Sequence, residues 1–278
     1  MEFPKTLIKR NGYIERIKPF MRKNIAKVLT GQRRVGKSFL LYQLMDQLLV
    51  EEPDANIIYI NFEDFAFSHI QTAEDMHAYI MSKFRKEKYN YIFVDEIQEI
   101  VNFERVIRSL LLNENNDIYI TGSNAKMLSG ELATYLSGRY IEFSVYSLSY
   151  LEFLAFHKLE NNNESLYLYS RYGGLPYLIN LPLKDETVNE YLKSVYSTIV
   201  FRDVVSRYNL RNSSFLEKLV QFLSENIGNL FSAKNISDYL KSQHSTISVN
   251  QIQNYTEYLN NAFLIHLSLI HISEPTRP

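Results

Sequence analysis

The 278-residue chain is 46% hydrophobic and 22% charged, ordinary values for a folded globular protein, and it is long enough for one large or two medium domains. No run approaches the ~18 apolar residues of a membrane span and no signal-peptide pattern opens the chain, so a cytoplasmic protein with no membrane association is expected. The absence of Cys excludes a disulfide framework, a thiolate zinc site and a cysteine nucleophile, and the six scattered His show no metal-binding spacing.

The net charge of −1 hides an uneven distribution. Met1 to Lys37 carries eleven Lys/Arg against two acids, whereas Glu51 to Glu104 carries four against twelve. A basic stretch of this kind suits a site that attracts a triphosphate, a nucleic-acid face or, before Lys27, a solvated helix surface.

In chain order, Gly12 to Phe20 reads as a short helix or turn, a natural wall for an adenine ring. Ala26–Thr30 reads as a short strand leading into Gly31-Gln32-Arg33-Arg34-Val35-Gly36-Lys37-Ser38, a complete G-x-x-x-x-G-K-[ST] phosphate-binding loop. Its two glycines allow the tight turn that points successive N–H groups at an anion. Lys37 supplies a charge for the outer phosphates, and the Ser38 hydroxyl is placed for Mg²⁺. From Phe39 an apolar-rich helix follows, with its positive end toward the phosphates. Residues 31 to 39 are therefore the expected nucleotide-binding set, with ATP and Mg²⁺ as ligands.

Continuous apolar runs at Ile57–Phe62, Tyr91–Glu96, Ile118–Asn124 and Tyr140–Phe143 predict four more buried parallel strands. Helices are expected over Thr72–Lys86 and Phe103–Leu112 between them. Alternating strands and helices imply a parallel sheet covered on both faces. After about Val145 the pattern becomes helical, over Leu148–His157, Ser165–Tyr172 and Val188–Arg207, with a break at Gly173-Gly174-Leu175-Pro176. Asn209 to Ser213 reads as a linker. Three helices follow over Ser214–Ile227, Ser232–Lys241 and Ser248–Asn261, the last two capped by their serines, as in a winged-helix or helix-turn-helix unit. Leu269 to Pro278 continues no pattern and reads as a non-native tail on a truncated chain.

Asp95 and Glu96 end an apolar strand about sixty residues after the loop, where the carboxyl ends of parallel strands converge. Asp95 would hold Mg²⁺ together with Ser38, and Glu96 would polarise the attacking water as general base. Ser123 and Asn124, at the next strand end, either orient that water or satisfy a local turn. Arg139 precedes the last strand; it either neutralises transition-state charge on a neighbouring subunit or makes a structural salt bridge.

The combination of Thr-Gly-Gln-Arg-Arg-Val-Gly-Lys-Ser, Val-Asp-Glu-Ile-Gln, Thr-Gly-Ser-Asn and Ser-Gly-Arg-Tyr resembles the prokaryotic AAA+-like ATPases over roughly Arg10 to His266. The resemblance implies that Asp95-Glu96 is the Walker B pair, Ser123 or Asn124 the sensor, and Arg139 the finger in a self-associated form. It also implies adenine as the base and Pro176, in Gly174-Leu175-Pro176, as a pocket-lining residue from a helical lid. Members of that family continue into an α/β segment of nuclease-like appearance, which the truncation expected here would remove.

The expected organisation is an α/β P-loop core over 1–145, an all-α lid over 146–208, a winged-helix-like domain over 209–267 and the tail over 268–278. Leu210 to His266 carries four Lys/Arg and four Asp/Glu, so charge favours protein contact over DNA, although Gln251, Gln253 and Asn254 are of a type that reads adenine edges. The expected function is Mg-ATP hydrolysis driving a conformational change. The alternatives are a slow-hydrolysing switch acting as a DNA-binding or signalling regulator, and a scaffold that keeps nucleotide for stability.

Overall fold

The computed structural model describes residues 7–125, 132–210, 213–242 and 247–268. Five strands, β1 (Ala26–Thr30), β2 (Asn56–Asn61), β3 (Asn90–Asp95), β4 (Asn116–Gly122) and β5 (Tyr140–Ser144), form one parallel sheet in the order β2-β3-β4-β1-β5. All four pairings are parallel. Parallel neighbours need crossovers, supplied here by helices α2 (Lys37–Glu51), α3 (Ala73–Ser82), α4 (Phe103–Leu110) and α5 (Leu132–Leu136), with α1 (Asn11–Ile17) ahead of β1.

Alternate strand residues feed two cores. Val28, Ile58, Ile60, Ile92, Val94, Ile118 and Ile120 meet Met76 and Ile80 of α3 and Phe103 and Ile107 of α4 on one face. Leu29, Tyr91, Phe93, Tyr119 and Phe143 meet Ile14 and Ile17 of α1 and Leu40, Leu44 and Leu48 of α2 on the other. Phe93 and Tyr119 stack with centroids 4.5 Å apart. Burial on both faces is why β3 and β4 read as unbroken apolar runs, whereas β5, expected to be buried as well, is an edge strand with Phe143 buried and Glu142 exposed.

Lys27, near the amino end of β1, has no solvent exposure, which its apolar neighbours alone would not suggest. Its ammonium pairs with Asp117 of β4, also fully buried, and donates to the Ile25 carbonyl at 2.8 Å. The remaining Asp117 oxygen accepts from the Tyr119 hydroxyl at 2.8 Å and the Arg22 amide at 2.7 Å. Burial pushes the Lys27 pKa down, opposed by the Asp117 charge. Two neighbouring strands are thus joined by a charged pair as well as by their ladder.

The chain divides into two compact units between residues 192 and 193. The expected boundaries at 145/146 and 208/209 do not coincide with this division. Residues 146–192 belong with the sheet because contacts described below bind them to the loop after β1. They form α6 (Tyr150–His157), α7 (Asn163–Tyr172) and the start of α8 (Asp185–Thr198). The helix expected over 188–207 widens into a π-helical stretch, Ile199–Ser206. Immediately before it, the Thr198 hydroxyl donates to the Ser194 carbonyl at 2.9 Å, competing with the backbone ladder.

The second unit carries α9 (Ser213–Glu225), α10 (Ala233–Ser242) and α11 (Val249–Asn261). Ser232 accepts from the Asn235 amide at 3.1 Å, and Ser248 forms a capping box with Gln251, so both expected caps are present. Among the described residues this unit contains helices and no strand. Positions 211–212 of the expected linker, the turn at 243–246 and the tail from 269 onward lie outside the described residues.

Removing Asp117 leaves an uncompensated ammonium inside the sheet. Asp117→Ala is expected to cost about 3–5 kcal/mol, read as a lower urea midpoint. An unchanged midpoint would show that the pair contributes nothing to holding β1 against β4.

Candidate functional site

The phosphate loop leaves the carboxyl end of β1. A Cβ on Gly31 would lie 2.1 Å from the Val145 carbonyl oxygen, so only glycine fits beneath the segment leaving β5. Gly36 has φ +95° and Arg34 φ +65°, the left-handed residues that close the turn. Lys37 opens α2 and is buried; its ammonium donates to the carbonyls of Gly31 at 2.9 Å and Gln32 at 3.1 Å. Arg33 is also buried and pairs with Glu63, just past β2, at 2.6 Å. Arg34 points outward, its guanidinium 6.0 Å from the Tyr191 ring centroid, and Phe39 is half-exposed.

Sheet order leaves one strand, β4, between the loop-bearing β1 and the acid-bearing β3. Asp95 ends β3 and is 1% exposed. It accepts hydrogen bonds from the hydroxyls of Ser38 and Thr121. Burial and the Glu96 charge push its carboxyl up, while those hydrogen bonds and Lys37 work the other way. Paired hydroxyl and carboxylate oxygens form the hard donor set that suits Mg²⁺, which is commonly held by one or two protein ligands together with substrate phosphates.

Glu96 sits at φ +53°, a strained conformation for a residue with a side chain. Its amide donates to the Thr121 hydroxyl at 3.0 Å, which fixes the turn. Its carboxylate stands 3.7 Å from the Lys37 ammonium and accepts from the Ser123 hydroxyl at 3.1 Å and from the Gln98 amide. Burial acts to raise its pKa, but Lys37, Gln98, Arg33 and Ser123 outweigh it, so the carboxyl lies below its ordinary value. A buried carboxylate kept ionised beside a phosphate loop is competent to accept a proton.

Of the expected site residues, Lys37, Ser38, Asp95, Glu96 and Ser123 are therefore linked by contacts. Asn124 is buried just beyond β4, next to Ser123. Pro176 reaches the loop: its Cγ lies 3.7 Å from where a Gly36 Cβ would stand. Gly174 permits this approach, because a Cβ there would lie 2.3 Å from the Leu148 carbonyl oxygen. Arg139 stands apart. It precedes Tyr140, which pairs with Ala26, so it lies at the amino end of the sheet, away from its own loop, with Nη1 3.5 Å from the Leu111 carbonyl.

Two residues here carry no assigned role from sequence. Gln98 follows the acidic pair by two positions, and the short helical turn Ile97–Glu99 folds it back onto Glu96. Arg10 lies twenty-one positions before Gly31 and is 4% exposed. It forms a bidentate pair with Glu152 of α6, at 2.8 and 3.0 Å, and bonds to the Val35 and Tyr146 carbonyls. Gln98 closes the Val-Asp-Glu-Ile-Gln segment but only its contact with Glu96 gives it a role, and no motif marks Arg10.

Residues 23–154 match the family described as an AAA domain, and residues 163–274 match a domain of unknown function. An uncharacterized protein of Haemophilus influenzae is 36% identical over 94% of this chain and 66% of its own length. An uncharacterized protein of Methanocaldococcus jannaschii is 32% identical over 88% of this chain and 56% of its own. The chain thus spans between about half and two thirds of the length of these curated relatives. Among solved structures, Aeropyrum pernix Orc1 in complex with DNA aligns over 93% of this chain and 85% of its own at 11% identity and a TM-score of 0.44.

Gly31→Ala forces its methyl against the Val145 carbonyl. It is expected to weaken ATP binding about tenfold or more in calorimetric titration, with a folded sheet by circular dichroism. Wild-type affinity would mean that the close approach is not needed for the loop's shape.

Proposed function

We propose, from the premise that the chain belongs through residues 23–154 to the AAA-domain family of P-loop proteins, that it binds Mg-ATP and hydrolyses it. The observation that carries this reading is the group of buried Lys37, Asp95 and Glu96 with the partly exposed Ser38 hydroxyl, where the carboxyl ends of β1 and β3 meet the start of α2. In that reading the loop amides and Lys37 hold the phosphates, and Ser38 and Asp95 hold the Mg²⁺, which supplies charge neutralisation at the transferring group. Glu96 takes the proton from the attacking water, and Ser123 and Asn124 orient it. Adenine as the base rests on the family premise.

Pro176 and α6 then feel the loaded state of the loop, because they contact it or Arg10, and their displacement is the conformational output. Arg139 acts on a second molecule, since it lies at the far end of its own sheet. The physiological partner is a protein or a second copy in preference to DNA, on the even charge of residues 210–266.

One observation favours a second reading, a slow switch. The Glu96 carboxylate is occupied by Gln98, Ser123 and Lys37, so turnover requires its release. In that case a partner that shifts the Ser123 or Gln98 turn sets the rate.

The test is Mg²⁺-dependent ATP turnover by wild type, Glu96→Gln and Arg139→Ala, with and without duplex DNA. Glu96→Gln should retain ATP and lose about 10²–10⁴-fold in kcat. Arg139→Ala should lose turnover that wild type gains with protein concentration. Equal turnover in wild type and Glu96→Gln would overturn the assignment of the base. ATP binding with negligible turnover in wild type would select the switch.

A further inference from the structure

Arg10 uses all five of its guanidinium N–H groups. Nε and Nη2 hold the two Glu152 oxygens at 2.8 and 3.0 Å; Nη2 reaches the Ser147 carbonyl at 3.4 Å; Nη1 holds the Val35 carbonyl at 3.0 Å and the Tyr146 carbonyl at 3.1 Å. Its own amide donates to Gln43 of α2 at 2.9 Å, and Gln43 in turn holds the Ile8 carbonyl at 2.9 Å. The Tyr13 ring lies beneath the guanidinium, 4.6 Å away. A buried arginine with every donor satisfied has one orientation available.

Val35 belongs to the phosphate loop, and the direction of its carbonyl matters for the residue after it. A trans peptide is planar, so the carbonyl of one residue and the N–H of the next point to opposite sides. With the Val35 carbonyl drawn onto Arg10, the Gly36 N–H is turned the other way. Gly36, at φ +95° and without a Cβ, offers little resistance to rotation of that peptide. If the peptide rotated, a carbonyl oxygen would face the anion in place of a donor.

We infer that Arg10 is a positioning residue of the phosphate loop, holding the Val35–Gly36 peptide with its N–H toward the nucleotide phosphates. This rests on the reading that the loop binds a nucleotide. Lysine cannot replace it, because one ammonium cannot hold a carboxylate bidentately and reach two carbonyls. The same guanidinium joins the loop to α6, through Glu152.

The test follows the Gly36 amide by ¹⁵N–¹H NMR as Mg-ADP is added, alongside ADP and ATP affinities, in wild type, Arg10→Met, Arg10→Lys and Glu152→Gln. The wild-type Gly36 resonance should move downfield on binding. Arg10→Met should lose that shift and bind both nucleotides about 10- to 100-fold more weakly, the equivalent of one charge-assisted hydrogen bond. Arg10→Lys, the milder change, provides the same readout if the methionine variant does not fold. Glu152→Gln keeps the guanidinium on Val35 and should retain the Gly36 shift. A wild-type Gly36 shift in folded Arg10 variants would overturn the inference. So would equal weakening by Glu152→Gln and Arg10→Met with the shift intact, since Arg10 would then act through α6 alone. A wild-type chain that binds neither nucleotide would instead remove the nucleotide reading on which the inference depends.

Discussion

A charge taken out of water must find a partner, and this requirement organises the nucleotide end of the sheet. Arg10, Arg33, Lys37, Asp95 and Glu96 are all buried there. Each is committed: Arg10 to Glu152 and three carbonyls, Arg33 to Glu63, Lys37 to two loop carbonyls and Glu96, and Asp95 to Ser38 and Thr121. The loop is therefore held by ionic and hydrogen-bonded contacts on its outer side and kept open to an anion by the glycines on its inner side. A triphosphate would enter a site whose cations already stand in place, at the cost of turning Lys37 away from its own backbone.

Residues 146–192 share this dependence. Leu148 donates to the Gly174 carbonyl at 2.7 Å, which draws the segment before α6 and the turn before Pro176 together. Pro176 then lies over Gly36, and Glu152 binds Arg10. The segment is helical, like a lid, yet it packs as part of the sheet-bearing unit because its anchors are the phosphate loop and the chain just ahead of β1. A change in the loop thus has two direct routes into these helices, one apolar through Pro176 and one ionic through Arg10.

The amino end of the sheet follows the same rule with a different outcome. Lys27, Asp117, Tyr119, Arg22, Tyr91 and Glu52 form a connected polar group, with Arg22 Nε donating to the Tyr91 hydroxyl at 2.8 Å and that hydroxyl to Glu52 at 2.8 Å. Every described link joins protein groups to one another, at the opposite end of β1 from the loop. The group ties β1 to β4 and to the chain ahead of β1.

Local chemistry along the chain determined much of this protein. Apolar runs marked β2 to β5, although of these only β3 and β4 are buried throughout and the edge strand β5 is mostly not, and Gly31, Gly36, Lys37 and Ser38 marked the loop, because no other residue types combine that turn with that charge. The serine caps of α10 and α11 were legible because a cap acts on amides within three residues, and the acidic pair was legible because it closes an apolar strand downstream of the loop. Tertiary structure alone decided what depends on distant partners. Nothing near Lys27 announces Asp117, ninety positions on, and nothing near Arg10 announces Val35 or Glu152. The place of residues 146–192 beside the sheet, and the widening of the helix after Thr198, likewise followed from packing and from competing hydrogen bonds that periodicity does not carry. Short-range rules identify a side chain's capability, and only the folded chain supplies the partner that a buried charge requires.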